Sequence, residues 1–155
     1  MNLALYQPDI PQNTGTLIRT AACLDLAVDI IEPCGFVFSD RHLKRSAMDY
    51  LDLGRVVRHV SWDAFRALRQ EQEGRRLVLL TTKGADIYTD FVFGESDVRV
   101  LGSESAGVPQ EVHGAMDARL TIPMAPSARS LNVAVAGALV LGEALRQTGA
   151  FPKQD

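Results

Sequence analysis

The residues with the clearest capacity for chemistry lie in Gly102-Ser103-Glu104-Ser105-Ala106-Gly107, directly after the apolar run Val98 to Leu101 and before Val108-Pro109. An apolar run that empties into small residues describes a buried strand ending in a tight turn. Its glycines let a ligand lie against bare backbone, and Glu104 sets a carboxylate between them. Alone, such a turn is most often only a turn. Two other stretches strengthen the ligand reading: Ile122-Pro123-Met124 followed by Ser130-Leu131-Asn132, and Asn13-Thr14-Gly15 with Arg19 behind it.

Familiar phosphate and nucleophile motifs do not fit these turns. Gly102 and Gly107 have Walker A spacing, but Val108-Pro109 stands where Lys-Ser/Thr must bind phosphate and magnesium. Glu104 occupies the position at which a dinucleotide fold needs its second glycine and a nucleophile elbow needs its serine. His113 has no evident partner and reads as a surface residue. Cys23 and Cys34 are the only cysteines, with no C-x-x-C and no His at ligand spacing, so reduced thiols and no metal are expected.

The elements that must carry these turns follow from the apolar pattern. Strands are expected at Asn2 to Tyr6, Ala27 to Ile31, Val56 to Val60, Leu77 to Thr82, Val98 to Leu101 and Leu120 to Ile122. The unalternating run from Leu77 suits a parallel strand covered on both faces. Helices are expected at about Gly15 to Leu24 with Asn13 or Thr14 as cap, at about Asp40 to Asp49, and from Ser61 to Gly74. Shorter ones should occupy Ile87 to Phe91 and begin at Pro109. Leu131 to Arg146 is apolar almost all round, so it must be buried, in part against a second subunit. Strands alternating with helices predict an α/β fold with a mainly parallel sheet flanked by helices.

The chain has 155 residues, 46% hydrophobic and 23% charged, as expected of one globular domain. No run reaches membrane-spanning length and no signal-type start is seen, so a cytoplasmic protein is expected. The net charge of −3 argues mildly against nucleic acid. Between Arg41 and Arg76, however, nine cations face five anions. That segment is either a solvated face or a docking surface. Arg41, Lys44 and Arg45 share one helix face by their i, i+3, i+4 spacing. Arg19, read as one turn into its helix, is disfavoured there by the macrodipole, so it answers either to an anion or to a surface salt bridge.

Taken together and in order, Asn13-Thr14-Gly15…Arg19, the Gly102 to Gly107 turn, and Ile122-Pro123-Met124…Ser130-Leu131-Asn132 resemble the three motifs of the SPOUT RNA methyltransferases. The resemblance spans essentially the whole chain, including Ile31-Glu32-Pro33 and Leu80-Thr81-Thr82-Lys83-Gly84. It is greatest to the minimal group that methylates the ribose 2′-oxygen of the wobble nucleotide in tRNA leucine isoacceptors.

That resemblance implies a homodimer and a C-terminal trefoil knot that forms the pocket for S-adenosylmethionine, bound bent and without a metal. It implies cofactor contacts at Leu80, Gly102, Ile122 and Ser130, and a reaction centre of Asn13, Arg19, Glu104, Ser130 and Asn132. A guanidinium does not readily yield its proton, so Arg19 is read as an electrostatic group. It would hold a phosphate and stabilise the developing alkoxide, with that phosphate or a water taking the proton. Asn13 and Asn132 would orient the ribose, and Glu104 would fix Arg19 or the loop geometry. Arg41, Lys44, Arg45, Arg55 and Arg58 would grip the phosphates of the tRNA anticodon stem-loop. Gly142 stands where the resemblance calls for a bulky aromatic residue. The alternatives are a SPOUT methyltransferase of another RNA site, or a non-catalytic RNA-binding dimer.

Overall fold

The structure, a computed structural model, describes residues 1–39, 41–50, 55–70, 72 and 74–153. Among the described residues seven strands form one sheet: β1 (Asn2–Tyr6), β2 (Ala27–Ile31), β3 (Val56–His59), β4 (Leu77–Leu80), β5 (Asp86–Ile87), β6 (Val98–Leu101) and β7 (Ala118–Thr121). Their order is β3-β2-β1-β6-β4-β7-β5, and every pairing is parallel. The helices are α1 (Pro11–Cys23), α2 (Arg41–Ala47), α3 (Trp62–Gln70), α4 (Gln110–Gly114) and α5 (Val133–Thr148). The expected α/β architecture is therefore what the chain adopts.

Period-two alternation sends strand side chains to the two faces of the sheet, where they fall into three clusters, the smallest being Val78 and Leu120 with Phe93 and with Val140 and Ala144 of α5. Leu3, Leu5, Val28, Ile30 and Leu101 pack under α1, α2 and α5 with Leu17, Ile18, Leu43, Leu141 and Leu145. Ala4, Tyr6, Ile31, Leu77, Leu79, Val98 and Val100 pack under α3 and α4 with Trp62, Phe65 and Val112. Helix α1 meets α2 at Gly15, where a Cβ would stand 2.7 Å from the Leu43 carbonyl oxygen and 2.8 Å from the Ala47 nitrogen. No side chain fits between the two helices there.

Several sequence expectations need correction. Helix α1 starts at Pro11, with Ile10 extended before it, because proline suits the first helical position and biases its predecessor to extended backbone. Asn13 and Thr14 thus lie inside the helix and cap nothing. Arg19 lies more than two turns beyond Pro11, which removes the macrodipole argument. Helix α5 starts at Val133 and not Leu131, with Asn132 as its cap. Residues Ile87 to Phe91 form no helix. Asp86 and Ile87 are drawn out as an edge strand along β7, and Tyr88 N–H donates to the Thr121 carbonyl at 3.1 Å. The third helix ends at Gln70, short of Gly74. Asp40, the expected start of α2, lies outside the described residues.

Candidate active site

In a parallel sheet, ligand crevices open beyond the carboxyl ends of strands, where the winding changes direction. Here the chain winds outward from β1 to β3, then returns to lay β4 and β6 on the other side of β1. The segments leaving β4, β6 and β7 enclose a cavity of about 430 Å³, within the usual range for small-molecule sites. Its apolar walls include Leu80, Leu101, Val108, Ile122 and Met124, and Gly102 and Ser130 also line it. All four residues expected to hold a cofactor are in this wall.

Two backbone features shape the floor. A Cβ on Gly102 would stand 2.7 Å from the Gly107 carbonyl carbon, so the turn closes on itself only with glycine there. Ser103 N–H donates to the Gly107 carbonyl at 3.0 Å and Gly107 N–H returns the bond at 2.9 Å. Gly107 has φ of +66°, the left-handed region.

One chain of hydrogen bonds ties the three motifs together at the cavity. Asn132 Nδ2 donates to Asn13 Oδ1 at 2.9 Å, and Asn13 Nδ2 donates to Glu104 Oε1 at 3.1 Å. Asn132 Oδ1 meanwhile accepts from Ala134 N at 2.9 Å and from Val135 N at 3.3 Å, capping α5. Each amide nitrogen carries two hydrogens and this chain uses one of them, which leaves a donor on both Asn13 and Asn132.

Glu104 answers to loop geometry and not to Arg19: its Oε2 accepts the Asp9 N–H at 3.0 Å. Burial, then the Asp9 carboxyl, raise the Glu104 carboxyl above its ordinary range. The bond with Glu104 lowers that of Asp9. Asp9 was missed from sequence. The available signal was a carboxylate between Pro8 and Pro11 in a loop leaving a strand end.

Arg19 does not line the cavity. It is exposed on α1, with its guanidinium 5.9 Å from the Tyr50 ring centroid. The five cations expected to meet RNA divide in two. Arg41, Lys44 and Arg45 are exposed along α2. Arg55 is paired with Asp25 at 2.9 Å, and Arg58 pairs with Glu32 while lying 4.6 Å over the Phe38 ring. Elsewhere in the basic segment, Arg69 and His59 are buried against Asp29, and Arg76 pairs with Asp97 at 2.8 Å. His113 is half-buried and accepts from Arg119 Nε at 3.2 Å through Nδ1, so it is not the partnerless surface residue expected.

The model of the SpoU rRNA Methylase family matches residues 1–142. The chain belongs to this family. A tRNA (cytidine(34)-2'-O)-methyltransferase of Beijerinckia indica subsp. indica is 61% identical over 151 residues, covering 97% of this chain and 94% of that protein. A structure described as giving insights into the 2-OH methylation of C/U34 on tRNA superposes with a TM-score of 0.88 at 40% identity, covering 94% of each chain. The SpoU methyltransferase AviRb from Streptomyces viridochromogenes was solved in complex with the cofactor AdoMet. It superposes with a TM-score of 0.84 at 30% identity, over 95% of this chain and 60% of that one. The cavity at the β4, β6 and β7 ends therefore belongs to a SpoU methylase fold.

Proposed function

We propose that this SpoU-family protein transfers the methyl group of S-adenosylmethionine to the ribose 2′-oxygen of nucleotide 34, the wobble position, of tRNA leucine isoacceptors in the cytoplasm. The observation that carries the reading is the Glu104–Asn13–Asn132 hydrogen-bond chain at the edge of an apolar cavity. The cavity suits the cofactor: Leu80, Ile122 and Met124 supply apolar surface for an adenine, and the Gly102 turn admits a ligand close to backbone. When bound, the cofactor supplies an electrophilic methyl on a sulfonium.

The chain's own residues then have separable tasks. The remaining amide hydrogens of Asn13 and Asn132 orient the ribose, and Ser130 at the exposed rim bounds the acceptor side. Glu104 holds Asn13 in place. Arg19 holds a substrate phosphate and offsets the charge growing on the 2′-oxygen. Arg41, Lys44 and Arg45 on the neighbouring helix bind anticodon-stem phosphates, joined by Arg55 and Arg58 once RNA competes for their carboxylates. The deciding experiment incubates the protein with S-adenosylmethionine and unmodified tRNA and maps 2′-O-methylation, alongside tRNA from cells lacking the protein. A methyl group at position 34 in the first and its loss in the second are expected. Modification elsewhere, or none, would end this reading.

The working unit is a homodimer. Val135 and Leu139 are 51% and 43% exposed on the outward face of α5, with Ala138 exposed beside them, and Leu131, 40% exposed, lies just before the helix. A stripe of that kind on a helix with few polar residues calls for a partner surface. Gly142 continues it, and a Cβ there would meet nothing within 4 Å, so the departure from an aromatic residue leaves open space. Within each protomer the C-terminal segment is read as threaded into the family's trefoil knot. Val135→Asp with Leu139→Asp should yield monomers in sedimentation. Losing about 1.5–3 kcal/mol per buried side chain, twice over by symmetry, weakens association at least a hundredfold. An unchanged sedimentation coefficient would place the dimer contact elsewhere.

A further inference from the structure

Asp9 does not itself line the cavity, yet it is the far end of the hydrogen-bond chain that organises it. Its Oδ1 accepts Glu104 N–H at 3.1 Å. Its Oδ2 accepts Ser105 N–H at 3.2 Å and also the Ser105 hydroxyl. Its own N–H donates to Glu104 Oε2 at 3.0 Å, so the bonding is reciprocal.

The loop bearing Asp9 is itself held. Gln7 N–H donates to the Ile31 carbonyl at 2.8 Å, and Gly35 N–H donates to the Pro8 carbonyl at 2.9 Å. A Cβ on Gly35 would stand 2.6 Å from the Asp9 Cβ, so the following loop presses directly on Asp9.

We infer that Asp9 is a positioning residue for methyl transfer: it locks the Glu104–Ser105 turn so that Glu104 holds Asn13, and through it Asn132, against the acceptor ribose. This rests on the methyl-transfer reading above. Ser105 is exposed, so water replaces the lost bonds when Asp9 is removed and the fold loses little stability. Alignment is less forgiving, because a displacement of about 1 Å at a reacting group can cost about 10²-fold in rate. The carboxyl pair adds a second signature. Glu104 is held above its ordinary range partly by Asp9, so an uncharged residue at position 9 lets Glu104 ionise at lower pH.

The test compares the full-length protein with Asp9→Ala and Asp9→Asn by amide hydrogen exchange, tRNA methylation kinetics and thermal melting. In Asp9→Ala, the Glu104 and Ser105 amides should exchange faster. Its kcat should fall about 10²-fold while KM for tRNA stays within about threefold and melting is nearly unchanged. In Asp9→Asn, the acid limb of the kcat profile should move to lower pH. Unchanged exchange, a near-normal kcat in Asp9→Ala, or an unmoved acid limb would each overturn the role. If Asp9→Ala does not fold, Asp9→Asn decides by exchange and pH profile, since it keeps the side chain's shape. An inactive wild type defeats the functional reading, whereas an active wild type with an active Asp9→Ala defeats the positioning role alone.

Discussion

Gly102→Ala is expected to abolish useful binding of S-adenosylhomocysteine. The added methyl would stand 2.7, 2.8 and 2.9 Å from the Gly107 carbonyl carbon, Cα and oxygen, all backbone atoms that no rotamer change can move aside. The turn has to open, and with it the paired Ser103–Gly107 bonds that shape the cavity floor. Overpacking of this kind costs about 3 kcal/mol or more, a loss of at least about a hundredfold in affinity if the open turn is the only way to relieve it. Isothermal titration measures the change directly. Affinity within a few-fold of wild type would mean that the cofactor does not rest on this turn. Gly107→Ala is the useful comparison, because its difficulty is conformational: the left-handed φ of +66° costs a residue with a Cβ about 1–2 kcal/mol, and a Cβ there would meet nothing within 4 Å. It should weaken binding less.

Arg19→Ala carries the largest expected effect on turnover. A preorganised charge aimed at a developing oxyanion is worth about 10²–10³ in kcat, and on the proposed role, in which Arg19 also holds the substrate phosphate, its loss should stand at the upper end. Arg19 is outside the cavity wall, beside Tyr50, so S-adenosylhomocysteine should bind the variant as it binds wild type. Arg19→Lys keeps the charge but loses the planar fork, and should recover only part of the rate. Single-turnover kinetics at saturating tRNA separates this from weakened substrate binding. Near-normal turnover in Arg19→Ala would remove Arg19 from the chemistry and shift attention to the α2 cations.

Each of these variants isolates one link of the site. Gly102 tests whether the cavity seats the cofactor, Arg19 whether a guanidinium outside the cavity serves the acceptor, and Asp9 whether the turn between them must be locked. Loss of cofactor affinity, of turnover alone, and of turnover with a shifted acid limb are distinguishable results.

The amino-acid sequence by itself determined the layer architecture and the identity of the three loops. The run Leu77 to Leu80 could be read as a strand covered on both faces because its side chains leave no polar face. Gly102 and Gly107 could be picked out because tight turns depend on residue types acting within a few positions. The starts of α1 and α5 were misplaced by two to four residues for a related reason. Capping residues can sit inside a helix when a proline farther upstream starts it, and Asn132 could be a cap only once the chain approached α5 from β7.

Only the tertiary structure decided which charges are available and which carboxylates meet. Arg69 and His59 sit in the same basic segment as Lys44, yet Asp29 takes them into the core from 40 and 30 residues away. Asp9 and Glu104 are 95 positions apart and become one hydrogen-bonded unit. Such partnerships depend on which strand ends the sheet brings side by side. Strand order arises from packing both faces of the sheet at once, and no local window of residues contains it.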